Sequence, residues 1–237
     1  MSISTTFLNP EHYYVGDVPL VFEKVCDTPE DYATWKDVQD CLNNPWNYHV
    51  EILDKKSNKV HLAQATETWL NAQHPRKDEI FKHVNNNDTF VIGMYGHHNR
   101  HCDELLDKIE KTFDIHCDIH LYGATGKGSK SFNIHWDQPS NFIMQLIGET
   151  HWKVYNERCS TLIKHGSFIF NGDESYLGEP LMDVVLTPGD MIYIPSRSYH
   201  CAHPSKNARL SMSIPLWHGL DMPQSDRREY TLTNINI

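Results

Sequence analysis

The chain has 237 residues, 39% of them hydrophobic and 22% charged, which fits one globular domain with a full core and excludes a disordered chain. Its formal charge of −10 argues against nucleic acid as a non-specific partner and is compatible with a cationic substrate. No apolar run approaches the length of a membrane span, and the N-terminus lacks the basic start and apolar stretch of a secretory signal. The six cysteines have no short paired spacing and read as reduced thiols of a cytoplasmic protein.

Asp17 to Val25 alternates weakly and reads as a strand. Thr28-Pro29-Glu30-Asp31 carries the marks of a helix start, with a cap, proline in the first turn and acids at the positive end of the dipole. Tyr32, Trp35, Val38 and Leu42 then share one helical face, and Asn43-Asn44-Pro45 stops it. A second helix is expected over Ala65 to Ala72, a buried strand over Phe90 to Tyr95, and an amphipathic helix over Asp103 to Phe113. From Ile115 the apolar period changes from that of a helix to that of a strand. Short strands are expected at Ile115 to Tyr122, Phe142 to Ile147, Thr150 to Tyr155, Ser167 to Phe170, Asp183 to Leu186, Met191 to Ile194 and Ala208 to Ile214. Many short strands after a mixed N-terminal third suggest a mainly β, double-sheet fold of the jelly-roll type with N-terminal and covering helices. In the last strand Leu210, Met212 and Ile214 share one face, and Arg209, Ser211 and Ser213 the other. If the apolar face packs on covering helices, the polar face lines a cavity.

His135-Trp136-Asp137 is answered by His200, which follows a Pro188-Gly189-Asp190 turn and a strand. In a strand His135 and Asp137 point to one face, so both can reach one ion. Two histidines and one carboxylate form the facial triad that holds non-haem Fe(II) and leaves positions open for O2 and a co-substrate. The same three ligands also suit a zinc hydrolase or a dioxygenase with no organic co-substrate, and a non-catalytic binding barrel is the remaining alternative.

Taken together, His120-Leu121-Tyr122, His135-Trp136-Asp137, the strand Phe142 to Gly148, His151-Trp152-Lys153-Val154-Tyr155 and Leu186-Thr187-Pro188-Gly189-Asp190 through Pro195 to His200 resemble the jumonji-C branch of the cupin oxygenases. They are closest in style to the ribosomal-oxygenase-like hydroxylases. The second signature departs from the cupin pattern at Arg197, where glycine is usual. The resemblance is strong over 113–217 and looser over 7–112. It implies a double-stranded β-helix in a single domain over 1–237, with mixed α/β elements in 1–112, a cupin core in 113–217 and a C-terminal tail in 218–237. The family's C-terminal dimerisation and winged-helix regions are not expected, because the chain ends soon after His200; the sequence sets no oligomeric state. The resemblance further implies Fe(II) bound by His135, Asp137 and His200, 2-oxoglutarate as co-substrate, O2 as oxidant, and hydroxylation of a peptidyl side chain, with a free amino acid or natural product as second choice.

2-Oxoglutarate needs a buried cation for its far carboxylate. Where related hydroxylases carry that Lys or Arg, this chain has Thr150. Lys153 has the wrong strand parity. Arg209 with Ser211 resembles the Arg-x-Ser anchor of another branch of these oxygenases. Asn141 stands where a related asparaginyl hydroxylase has an asparagine that helps hold the co-substrate, and Tyr122 where the family often has a hydroxyl. Thr150 offers a hydroxyl of its own. The Gly-rich segment from Gly123 to Gly128 lacks phosphate-loop spacing and is expected to form a mobile mouth for substrate.

Overall fold

The computed structural model describes residues 3–14, 17–67, 72–160, 168–169, 174–204 and 207–217. In chain order the elements are α1 (Glu11–Tyr14), β1 (Leu20–Phe22), α2 (Trp35–Asn43), β2 (His49–Leu53), β3 (Gln64–Glu67), β4 (Ala72–Pro75), α3 (Lys77–Asn85), β5 (Thr89–Gly93) and α4 (Arg100–Phe113). The strands then follow closely: β6 (His116–Cys117), β7 (His120–Ala124), β8 (His135–Trp136), β9 (Ser140–Ile147), β10 (Thr150–Arg158), β11 (Phe168–Ile169), β12 (Pro180–Leu186), β13 (Met191–Ile194), β14 (Ser198–Pro204) and β15 (Arg209–Trp217).

The mainly β expectation holds. An eight-stranded sheet runs β1-β13-β9-β15-β7-β5-β2, with β6 attached to β15, and a five-stranded sheet runs β11-β8-β14-β10-β12. All strand pairs of these two sheets are antiparallel. The large sheet buries one face under the helices: Leu210, Met212 and Ile214 of β15 pack in one core with Val38 and Leu42 of α2, Ile80 of α3 and Leu106 and Ile109 of α4. A smaller core of Ile143, Trp152, Val154, Leu186, Ile192 and Ala202 lies between the two sheets. The layers are therefore helices, large sheet and small sheet, with room for a site between the sheets.

The N-terminal third departs from expectation in three places. The strand expected over Asp17 to Val25 shrinks to Leu20–Phe22, paired with β13. Thr28 does not open the helix. Its hydroxyl donates to Asp31 Oδ2 at 2.6 Å across a single 3-10 turn, and α2 begins at Thr34, where a capping box with Asp37 satisfies the first turn. Ala65 to Ala72 is not helical: β3 and β4 form a separate two-stranded sheet with Ala65 opposite His74. Gln64 and Thr66 are exposed, so the segment has no apolar stripe to hold a helix on the core, and local pairing wins. The strand expected over Ser167 to Phe170 appears as Phe168–Ile169, its flanks lying outside the described residues, as do 218–237.

Candidate metal and co-substrate site

The two halves of the triad arrive on adjacent strands of the small sheet. His135 on β8 is the register partner of His200 on β14, and their ring centroids lie 4.3 Å apart. Asp137 follows β8 directly, its backbone carbonyl accepting the N–H of Arg197 at 2.8 Å. Asp137 Oδ2 is 3.9 Å from His135 Nε2 and 3.5 Å from His200 Nε2. One ligand atom from each of the three lies within 4.8 Å of the others, the only such grouping found among the described residues.

The tautomers are prepared for an ion. His135 Nδ1 faces the carbonyl of Asn133 at 2.8 Å and His200 Nδ1 faces that of Ser198 at 2.9 Å. A proton held on each Nδ1 leaves the Nε2 lone pair free to coordinate. Burial, reinforced by the neighbouring His200, pushes the His135 imidazole down to about 4 against the pull of Asp137, so it stays neutral at physiological pH. The donor set and its orientation fit one divalent cation with open positions.

The cation expected for a dicarboxylate lies in the same cavity. A space of about 210 Å³ is lined by the triad together with Arg209, Ser211 and Ser213. Strand parity sets this: the odd residues of β15 face the small sheet and the even ones face the helices. Arg209 is 2% exposed, donates from Nη2 to Thr89 Oγ1 at 3.3 Å and has no partner for Nε among the described residues. Among the described residues no carboxylate forms an ion pair with it. Burial lowers its guanidinium to about 10, still a cation at neutral pH. An uncompensated buried cation is costly, and an anion entering this cavity relieves it.

The other expected residues divide. Ser211 lines the cavity, with its hydroxyl donated to Gln145 Oε1 at 2.8 Å. Tyr122 lines it too and also borders a second space, of about 310 Å³, that opens past Asp137, His120 and Trp217. Asn141 lies on that second side. Its amide donates to Asp137 Oδ2 at 3.4 Å and its carbonyl oxygen accepts from Ser213 Oγ at 3.4 Å, an arrangement that steadies Asp137. Thr150 is not brought to the site. It pairs with Leu186 and Pro204, is fully buried, and its hydroxyl has no partner among the described residues. Lys153 points away from the cavity toward Glu174, as its parity requires. Of the segment expected as a mobile mouth, Thr125, Lys127 and Gly128 are exposed; just after it Ser129 and Ser131 are buried, Thr89 Oγ1 donates to the Lys130 carbonyl, and the Phe132 ring lies 5.3 Å from that of His135. Thr89, Phe132, Gln145 and Glu51 were not singled out by sequence. The alternation His49-Val50-Glu51-Ile52 carried the signal for the strand that holds Glu51.

A JmjC-domain family model matches residues 98–222. Ribosomal oxygenase 1 of Danio rerio is 34% identical over 97 residues, which is 41% of this chain and 18% of that protein. The bifunctional lysine-specific demethylase and histidyl-hydroxylase NO66 of Aedes aegypti is 31% identical over 119 residues, 49% of this chain and 17% of that protein. The chain thus spans less than a fifth of the curated relatives it matches. Among solved structures, the ribosomal oxygenase YcfD of Escherichia coli in complex with cobalt and 2-oxoglutarate superposes with a TM-score of 0.67 at 16% identity, covering 98% of this chain and 57% of that one. At that identity the likeness is one of fold.

Proposed function

The chain belongs to the JmjC-domain family, and from that membership we propose that it is an Fe(II)- and 2-oxoglutarate-dependent oxygenase that hydroxylates a C–H bond of a peptidyl side chain. The observation that carries the reading is Arg209, a buried cation with no carboxylate partner among the described residues, in the same cavity as His135, Asp137 and His200. In this reading the three triad residues hold Fe(II), and Arg209 grips the far carboxylate of 2-oxoglutarate in the two-pronged manner that guanidinium allows. Fe(II) with 2-oxoglutarate and O2 supplies the oxidation of a C–H bond, with succinate and CO2 as co-products. The protein's own part is positional. Asn133 and Ser198 carbonyls fix the imidazoles, Asn141 steadies Asp137, and Trp152, Phe132 and Ile143 keep water from the cavity. Ser211 and Tyr122 border the co-substrate.

The peptidyl substrate is supported by relatives whose names record ribosomal and histidyl oxygenation. The one-domain organisation over 1–237 is supported by β1, β2 and β5, which join β7, β9, β13 and β15 in one sheet. A cytoplasmic place is supported by six cysteines that form no disulfide; no described helix is long and apolar enough to cross a membrane.

Titration of 2-oxoglutarate into the Mn(II)-loaded protein tests the anchor. Arg209→Ala should weaken binding on the order of a hundredfold or more, the loss expected when a buried charge loses its partner, with metal affinity nearly unchanged. Arg209→Lys should recover part of it. Unchanged affinity in Arg209→Ala would remove Arg209 as the anchor and favour a metal enzyme that does not use 2-oxoglutarate.

A further inference from the structure

The metal-site cavity continues beyond the triad. Its far wall is Glu51 on β2, the edge strand of the large sheet. Glu51 also lines a separate space of about 350 Å³ outside that edge, walled by Trp46, Tyr48, His61, His74 and Gln73. Arg209 on β15 and Glu51 on β2 are separated by β7 and β5, roughly 14 Å at the usual strand spacing. One end of the inner cavity therefore carries a cation and the other a carboxylate that is paired with Lys59.

The state of Glu51 is defined by its neighbours. Burial raises its carboxyl, but hydrogen bonds from Lys59 and His49 outweigh that and hold it below the usual carboxylate range. Its side chain is 21% exposed. Both partners use the same oxygen: His49 Nε2 lies 2.8 Å from Oε1, and Lys59 Nζ donates to Oε1 as well. Oε2 has no hydrogen-bond donor among the described residues. A half-buried carboxylate oxygen oriented by two neighbours and left without a donor is an acceptor waiting for an N–H group. Beside it, Gly93 is the register partner of His49. A Cβ there would lie 3.4 Å from His49 Cβ and 3.7 Å from His120 Cδ2. The missing side chain leaves a notch on the sheet between His49, which borders the outer space, and His120, which borders the space past Asp137.

We propose that the outer space is a second substrate subsite, filled by the stretch of polypeptide that flanks the oxidised residue, and that Glu51 is the specificity-determining residue between the two, accepting hydrogen bonds from a basic side chain. This rests on the oxygenase reading above. A free amino acid held at the metal beside 2-oxoglutarate would fill the inner cavity and leave Trp46 and His74 untouched, whereas an extended peptide spans both. A nucleic acid is disfavoured because a chain of net charge −10 repels phosphate.

The test uses the Fe(II)-loaded protein with 2-oxoglutarate and O2. Its probes are synthetic peptide libraries with Lys, Arg or His fixed at the centre, a matched library with Leu there, and the free amino acids. Oxygen incorporation is read by mass and succinate by NMR. Wild type should oxygenate the basic-centred peptides in preference to the Leu-centred ones and to free amino acids. Glu51→Gln should lower that basic-over-Leu preference about tenfold or more, the worth of a charge-assisted hydrogen bond. Trp46 is 48% exposed, so Trp46→Ala should fold; it should raise KM for peptides while kcat at saturation is kept. Equal oxygenation of free amino acids and peptides, an unchanged preference in Glu51→Gln, or succinate formation by wild type with no peptide oxygenated would each overturn the subsite. A wild type that forms no succinate would remove the oxygenase reading, and the subsite with it.

Discussion

Arg197 occupies the position where the family pattern has glycine, and its backbone explains the preference. Its φ is +64°, in the left-handed region that glycine enters without strain. The cost is offset by three contacts: its N–H donates to the Asp137 carbonyl, its Nη1 donates to the Ser160 carbonyl at 2.9 Å, and its guanidinium lies 5.1 Å from the Trp136 ring centroid. The exception visible in the sequence is thus a brace under Asp137. Asp190 plays a comparable part in the preceding turn. Its carboxylate accepts from the N–H of Lys24 at 2.9 Å and the N–H of Thr187 at 2.8 Å. Gly189 beside it has φ +91°, and any Cβ there would lie 2.2 Å from the Cys26 carbonyl. Burial raises the Asp190 carboxyl, but the hydrogen bonds from Lys24 and Thr187 bring it below its ordinary value. A depressed folded value stabilises above the unfolded value, about 3.9, and the gain is lost as pH falls through the folded one. Asp190→Asn should therefore cost about 2 kcal/mol at neutral pH, and the gap from wild type should close below about pH 4. Urea unfolding at a series of pH values measures it, and a gap that widens toward acid would contradict the assignment.

At the scale of elements, β15 shows how a two-residue period becomes a site. Met212 is fully buried among the helices, while Ser213, one residue on, lines the metal cavity. Met212→Ala should cost roughly 2–5 kcal/mol. Ser213→Ala should stay within about 1 kcal/mol, because it loses only a hydrogen bond to Asn141. Denaturant midpoints of the two variants separate the faces, and similar losses would contradict this orientation of the strand. This alternation was legible in the sequence because each face has its own chemistry. The helix start at Thr34 was hidden behind a second cap-like run at Thr28. The β3–β4 hairpin was hidden because exposed polar residues carry no period to distinguish helix from strand. Thr34→Ala, which removes one half of the capping box, should destabilise by about 1 kcal/mol, read in the same unfolding experiment; no change would make Asp37 alone sufficient.

On the scale of the whole molecule, the site exists only because two sheets face one another. The small sheet contributes His135 and His200, and the large one Arg209, Ser211 and Tyr122. His135, Asp137, His200 and Arg209 could be singled out in the sequence because their residue types are rare in those patterns. Glu51, Thr89 and Gln145 could not, since what they do depends on register between strands far apart in the chain. The central claim is that the three triad residues serve O2 chemistry driven by 2-oxoglutarate. Succinate formed from 2-oxoglutarate with Fe(II), ascorbate and O2 tests it most directly, compared between wild type and Asp137→Ala with cooperative unfolding checked for both. The account predicts succinate from wild type and only the protein-free background from Asp137→Ala; background-level succinate from a folded, iron-loaded wild type, or equal succinate from both, would contradict it.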